Sequence, residues 1–162
     1  MKNNYLTILL GLLFVTTIGL LIYQFVLRDS GDIRLPMVEG CSLHLKPCST
    51  MLPMGGKLIF EINPKQPDPT ELLHLSARFQ QVEPQAVRVR FKGETMNMGY
   101  LEHVKYELLR KDTTDETILF SGVGGLSVCI SGLMEWIALV NIQIGDTIYE
   151  VPFKFETTYV YE

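Results

Sequence analysis

The 162-residue sequence lacks the motifs that most enzyme classes need. Ser131-Gly132 does not sit in a nucleophile elbow, and no pair of carboxylates stands out. The glycine-rich stretch GVGG at residues 122–125 lacks the Gly-Lys-Ser/Thr ending of a phosphate loop. The three histidines, His44, His74 and His103, each stand alone on a strand-like segment, as solvent-facing strand residues do. We therefore expect a protein without enzymatic activity.

The chain also lacks an excess of positive charge. Its 14 Lys and Arg residues against 18 Asp and Glu residues give a formal net charge of -4. There is no basic stripe, run of like charge, internal repeat or low-complexity segment. Because nucleic-acid binding needs clustered Lys and Arg, these absences exclude a nucleic acid as partner.

Charge is missing altogether from the 23-residue apolar run Tyr5–Leu27. A helix needs about 20 residues to cross a bilayer core, so residues 1–27 predict a retained transmembrane anchor, followed by a polar tether at residues 28–40. A cleaved signal peptide is the alternative, but it needs a shorter apolar core and a small-residue cleavage site. Lipidation of Cys41 is a third possibility, disfavoured because Cys41 lies 14 residues beyond the run.

All three cysteines lie beyond the predicted helix, at Cys41, Cys48 and Cys129. Three cysteines in a small domain indicate an oxidising space, typically the bacterial periplasm. The basic residues that flank the apolar run give only a weak orientation signal. We therefore expect a single-pass inner-membrane protein with a periplasmic domain at residues 41–162.

Beyond residue 40 the sequence lacks a helical period and instead alternates with a period of two. Such alternation, broken by proline, glycine and aspartate clusters, is typical of half-buried strands. The alternating runs include Leu58–Ile62, Leu73–Phe79, Val87–Phe91, Val104–Leu108, Ile118–Phe120, Met134–Ile144 and Tyr149–Phe155. Seven to nine short strands predict an all-β, immunoglobulin-like antiparallel sandwich with Trp136 in its core, and a small closed barrel is the alternative.

The three cysteines allow one disulfide and leave one thiol. Six residues separate Cys41 from Cys48, so a bond between them requires a turn, which Gly40 and Pro47 permit. The alternative bond, Cys48–Cys129, would join the two sheets of the sandwich. We favour Cys41–Cys48, with Cys129 left as a free thiol.

Two methionines stand in the polar, turn-like stretch GETMNMGYLE. Met96 and Met98 are two residues apart, so both thioethers face the same side if the backbone is extended. In a second stretch, SVCISGLMEW, a hairpin turn at Ser131-Gly132 would place Cys129 opposite Met134.

Soft sulfur ligands select Cu(I), and these two pairs together would supply three thioethers and one thiolate. We predict a Cu(I) site of Met96, Met98, Cys129 and Met134 near one end of the sandwich. The competing interpretation is that these residues fill gaps in the core, as methionine and cysteine often do.

The helix and the stretch from about Val87 to Phe155, with its segments FKGETMNMG, GLSVCISGLMEW and YEVPFKFET, resemble membrane-anchored periplasmic sandwich proteins of the FixH and YtkA type. The resemblance implies a role in copper handling or in the assembly of a haem-copper oxidase. The segment GCSLHLKPCSTMLPMGGK lies outside the resemblance.

The expected function is that of a membrane-anchored periplasmic Cu(I)-binding protein, acting as a metallochaperone or as an assembly factor for a membrane oxidase. The alternative is a metal-free adaptor domain that binds a membrane protein complex.

Overall fold

A computed structural model of the chain describes residues 2–27, 32–95, 99–114, 116–126 and 133–158. One helix and nine strands form within them. Their bounds are α1 Lys2–Leu27, β1 Asp32–Arg34, β2 Cys48–Met51, β3 Lys57–Asn63, β4 Leu72–Gln80, β5 Ala86–Gly93, β6 Tyr106–Thr113, β7 Thr117–Gly125, β8 Leu133–Ile144 and β9 Thr147–Thr158. A short 3₁₀ helix covers Gly99–His103.

Helix α1 belongs to one compact unit, and the strands form a second unit that begins at Asp32. In the described ranges, no helix combines the length and the hydropathy that a membrane crossing requires. The structure therefore does not support the prediction of a transmembrane anchor.

The mostly-β prediction is confirmed. The described strands form one sheet in the order β1-β9-β8-β5-β6-β7-β4-β3-β2. All neighbouring strands are antiparallel except β1 and β9, which are parallel. Alternate side chains of β3, β4, β5 and β8 are buried, as the period of two predicts.

The sheet curls so that strands far apart in the strand order face each other. Strand β6 mediates the curl, because its first residues pair with β5 and its later residues pair with β7, with a bulge between Arg110 and Asp112. The rings of Phe60 on β3 and Phe153 on β9 lie 5.5 Å apart in the core. The curl thus buries one face of the sheet around aromatic and branched side chains.

The segment after β1 joins the two outer strands of the sheet. It follows the edge of β9, where the backbone amides of Leu35, Val38 and Leu43 donate to carbonyls of β9, and then leads into β2. Residues 32–34 of the predicted tether therefore form strand β1, and the residues that follow continue along the edge of β9. The Cys41–Cys48 disulfide, with a Cα–Cα distance of 5.8 Å, closes the turn between the two outer strands, and this pairing is confirmed.

We expect the double substitution Cys41→Ala and Cys48→Ala to lower the free energy of unfolding by about 2.5 kcal/mol, because the disulfide closes an eight-residue loop in the unfolded chain. Denaturant unfolding of the full chain with and without a reductant measures the effect. The parent should lose stability on reduction, whereas the double variant should not respond. Cys129→Ala is the control and should respond like the parent. Unreduced peptide mapping that links Cys129 to either other cysteine would contradict the pairing.

Candidate functional site

Three of the four predicted copper ligands lie outside the described residues. These are Met96, Met98 and Cys129, and the Ser131-Gly132 turn lies outside them as well. The fourth, Met134, is the second residue of β8 and pairs with Thr157 on β9. Its side chain is 4% exposed and belongs to the hydrophobic core. The predicted contact between Cys129 and Met134 stays a prediction.

The described residues that flank these ligands meet at one end of the sheet. Strand β5 ends at Gly93, which pairs with Trp136 on β8. The amide of Glu94 continues this ladder by donating to the carbonyl of Glu135 over 3.0 Å. The chain that leads into Met96 therefore lies beside the chain that carries Met134.

The end of β7, which leads towards Cys129, lies at the same end of the sheet. The Tyr106 hydroxyl donates to the carbonyl of Gly125, the last residue of β7, over 2.8 Å. The Tyr106 ring is 5.7 Å from the ring of Phe91 on β5. Strands β5 and β7 thus end close to the start of β8, which is the arrangement that the predicted site needs.

Four aromatic rings line the inner face at this end, and we call them the aromatic floor: Phe91, Tyr106, Trp136 and Phe155. Phe91 meets Phe155 edge-on at 5.7 Å, and Phe155 stacks on Trp136 at 6.3 Å. The indole nitrogen Nε1 of Trp136 donates to Oγ1 of Thr157 over 2.9 Å, with both residues buried. The aromatic floor gives this end of the sheet a packed, apolar interior.

The outer face at the same end is acidic. Glu94, Glu135 and Glu156 are exposed and adjacent on β5, β8 and β9, and we call them the acidic row. Nζ of Lys154 donates to the Glu94 carboxylate over 2.6 Å, and this hydrogen bond raises the pKa of Lys154 above its ordinary value. Like charges on directly opposed strands repel, and Lys154 offsets part of this repulsion because it pairs with Glu94 and also lies near Glu135. The acidic row with Lys154 still leaves an excess of negative charge here.

The acidic row is not itself a metal site. Among the described residues, no group of three or more His, Cys, Asp and Glu side chains could hold a metal ion. The three histidines do not join the acidic row as metal ligands in the described residues. Nδ1 of His44 accepts a hydrogen bond from the Glu156 amide, and His74 and His103 are exposed. Sequence reasoning missed the acidic row, although the outward parity of Glu135 within β8 was a usable signal.

Comparisons with family models, curated proteins and solved structures gave no match. The resemblance to the FixH and YtkA type therefore stays a prediction.

The hydrogen bond beneath the site can be tested with Thr157→Val. Valine has nearly the shape of threonine but leaves the buried Trp136 N–H without an acceptor, which costs about 1–3 kcal/mol. Denaturant unfolding followed by the fluorescence of the single tryptophan measures the loss. Thr158→Val is the matched control, because Thr158 is the exposed neighbour on β9 and its replacement should change stability by at most about 0.5 kcal/mol. If Thr157→Val and Thr158→Val lower the free energy of unfolding equally, the hydrogen bond between Trp136 and Thr157 does not explain the loss of stability.

Proposed function

We propose that the chain binds Cu(I) through Met96, Met98, Cys129 and Met134 and acts as a metallochaperone or as an assembly factor for a membrane oxidase. The observation that carries the proposal is the backbone hydrogen bond from Glu94 to Glu135. It continues the β5–β8 ladder to within two residues of Met96 on one strand and one residue of Met134 on the other. The described end of β5 that leads to Met96 and the start of β8 that carries Met134 are thereby adjacent, which supports the proposal.

The disulfide supports a thiolate ligand. Because Cys41 and Cys48 bond to each other, Cys129 has no cysteine partner within the chain of three cysteines. A thiolate and thioethers together favour Cu(I) over the harder Cu(II). Ligand exchange at such a site transfers the metal without making or breaking bonds in an organic substrate.

The surroundings suit a soft cation. The aromatic floor makes the interior at this end apolar, and Met134 is buried in the core, which the packing interpretation of this methionine expects as well. The acidic row places three carboxylates on the outer face beside the site, where their field raises the local concentration of cations. Met134 would act as the inner ligand, with the other three sulfurs closing over it.

The strand pairing supports the finer fold assignment, an immunoglobulin-like sandwich. One run of neighbours is β3-β4-β7-β6 and the other is β5-β8-β9. These runs follow the A-B-E-D and C-F-G order of the seven-stranded immunoglobulin fold, in which strands C and D belong to different sheets. In this chain the corresponding strands, β5 and β6, pair over three residues, so the two runs join into one curled sheet.

We also propose that the chain is anchored in the inner membrane, with the strand domain in the periplasm and a haem-copper oxidase as acceptor. The uncharged run Tyr5–Leu27 alone supports the anchor. Confinement to a membrane raises the effective concentration of the domain near a membrane-bound acceptor.

A metal-free adaptor that binds a membrane protein complex is the second candidate. Leu72, Leu109 and Val123 are 65%, 59% and 50% exposed on the neighbouring strands β4, β6 and β7. Exposed apolar side chains that lie together are a feature of protein-binding surfaces. Under this alternative, the methionines only pack the fold.

The copper proposal is tested by the double substitution Met96→Leu and Met98→Leu in the full chain. Leucine conserves volume, so the free energy of unfolding should change by less than about 1.5 kcal/mol per site. Cu(I) affinity should fall by at least about 100-fold, the upper end of what the loss of an outer-shell partner costs. An anaerobic Cu(I) titration against a competing chelator measures the affinity, and quenching of Trp136, two residues from Met134, gives a second readout.

Met51→Leu with Met54→Leu is the matched control, because both methionines are exposed and Met51 pairs with Lys57 towards the opposite end of the sheet. This control should bind Cu(I) like the parent. If the Met96 and Met98 variant binds Cu(I) as tightly as the parent, those methionines are packing residues and not ligands. If the Met96 and Met98 variant loses copper binding but still binds a membrane protein partner, the result would favour the adaptor function.

The anchor is tested on the native protein. We expect it to remain in the membrane fraction after a high-salt wash and to keep residues 1–27, because the apolar run carries no charge and no cleavage site. Amino-terminal sequencing that starts beyond Leu27 would show a cleaved signal peptide instead.

A further inference from the structure

A polar cleft of about 450 Å³ lies on the outer face of β1, β9, β8 and β5. Such a volume is within the range of about 300–1,000 Å³ that small-molecule sites occupy. The side chains that carry its chemistry are Asp32, Arg34, Arg90, Lys105, Asn141 and Glu150.

Glu150 is the centre of the cleft, and its side chain is 8% exposed. Nε of Arg34 donates to Oε1 over 2.7 Å, and a terminal nitrogen of Arg90 donates to Oε2 over 2.7 Å. A guanidinium carries five N–H donors, so each arginine uses only a part of its capacity on Glu150. The buried carboxylate thus fixes two guanidinium groups while most of their donors stay available.

Two further polar atoms in the cleft are buried without a hydrogen-bond partner in the described structure: Nε of Arg90 and Oδ1 of Asn141. A buried donor or acceptor without a partner costs about 1–3 kcal/mol. One is a donor and the other an acceptor. Both atoms have almost no exposed surface, so a ligand reaches them only after the Arg90 and Asn141 side chains rotate. A ligand that offers both an acceptor and a donor would then satisfy both atoms at once.

The lining also carries an excess of positive charge. It has three cationic side chains, Arg34, Arg90 and Lys105, against the carboxylates of Asp32 and Glu150. Glu150 is shared by the two arginines, and the described residues give Lys105 no ion-pair partner. An excess of one charge favours a singly charged anion over a dianionic phosphate, and the planar guanidinium matches a carboxylate.

We propose that this cleft binds a carboxylate that carries an adjacent hydrogen-bond donor. The carboxylate contacts Arg90 and Lys105, and the adjacent donor reaches Asn141. A 2-hydroxy acid has this chemistry, and so does the carboxyl terminus of a peptide with its last amide. The site is independent of the copper proposal, because none of its lining residues is a candidate sulfur ligand.

The test uses glycolate as the probe for a hydroxy acid, N-acetylglycine as the probe for a peptide terminus, and acetate as the probe without a donor. Each is titrated into the full chain at constant ionic strength, while NMR follows the Arg90 Nε–H signal. We expect a saturable shift with glycolate or N-acetylglycine, and binding at least about fivefold weaker with acetate. Tighter binding of glycolate would identify a hydroxy acid as the ligand, and tighter binding of N-acetylglycine would identify a peptide carboxyl terminus.

Lys105→Gln should weaken the binding of the preferred probe by about fivefold or more, because it removes a charge-assisted contact from an exposed position. Lys92→Gln is the matched control, because it is the same substitution at an exposed lysine that lies on β5 outside the cleft lining. Arg90→Lys should also weaken binding, because lysine keeps the charge and loses the Nε donor. A shift that does not saturate, or equal effects of Lys105→Gln and Lys92→Gln, would overturn the proposal and leave a water-filled ion-pair cluster.

Discussion

The backbone pairing of one segment with β9 holds the two ends of the sheet together. A curled sheet that does not close has two edge strands, here β1 and β2, and unpaired edges invite association with other chains. Because β1 and β2 are consecutive in the sequence, the segment between them can cross from one edge to the other. It does so along β9, and the Cys41–Cys48 disulfide then closes the turn before β2. The buried side chain of Leu43 fixes this turn to the core, so the covalent bond and the hydrophobic core constrain the same residues.

The two faces of β9, the strand that this segment follows, have opposite chemistry. Along β9, Phe153 and Phe155 enter the core, whereas Glu150, Lys154 and Glu156 belong to the outer face. A charge can be buried on the outer face only if neighbouring strands supply partners, and Arg34 and Arg90 do so for Glu150. The same strand therefore contributes to an apolar floor on one side and to a polar cleft on the other. These two chemistries do not compete, because the period of two separates them completely.

The period of two predicted most of the buried strand residues, but not those buried on the outer face, such as Leu139 and Glu150. Leu58, Phe60 and Ile62, for example, are buried as their alternation indicates, because only one face of this sheet meets the core. Strand order was not predictable, since it depends on contacts between distant segments. In the described residues, β8 pairs with β5 and β9, and Thr157 is the partner of Met134. Local turn chemistry at Ser131-Gly132 carries no information about those distant partners. Likewise, Asp32–Arg34, part of the predicted polar tether, become a strand only because β9 offers them a free edge.

The division of the three cysteines connects the fold to the proposed chemistry. A free thiol in an oxidising compartment is vulnerable to disulfide exchange, and a nearby disulfide would be its first target. Here Cys48 is fully buried whereas Cys41 is partly exposed, so a thiolate would have to approach this bond from the Cys41 side. The packing that stabilises the edge of the sheet therefore shields one of the two sulfurs of the disulfide. A soft metal bound to Cys129 would occupy the same lone pairs that attack a disulfide. Structural cysteines sealed by packing and a ligand cysteine occupied by metal can then coexist in one small domain without exchanging partners.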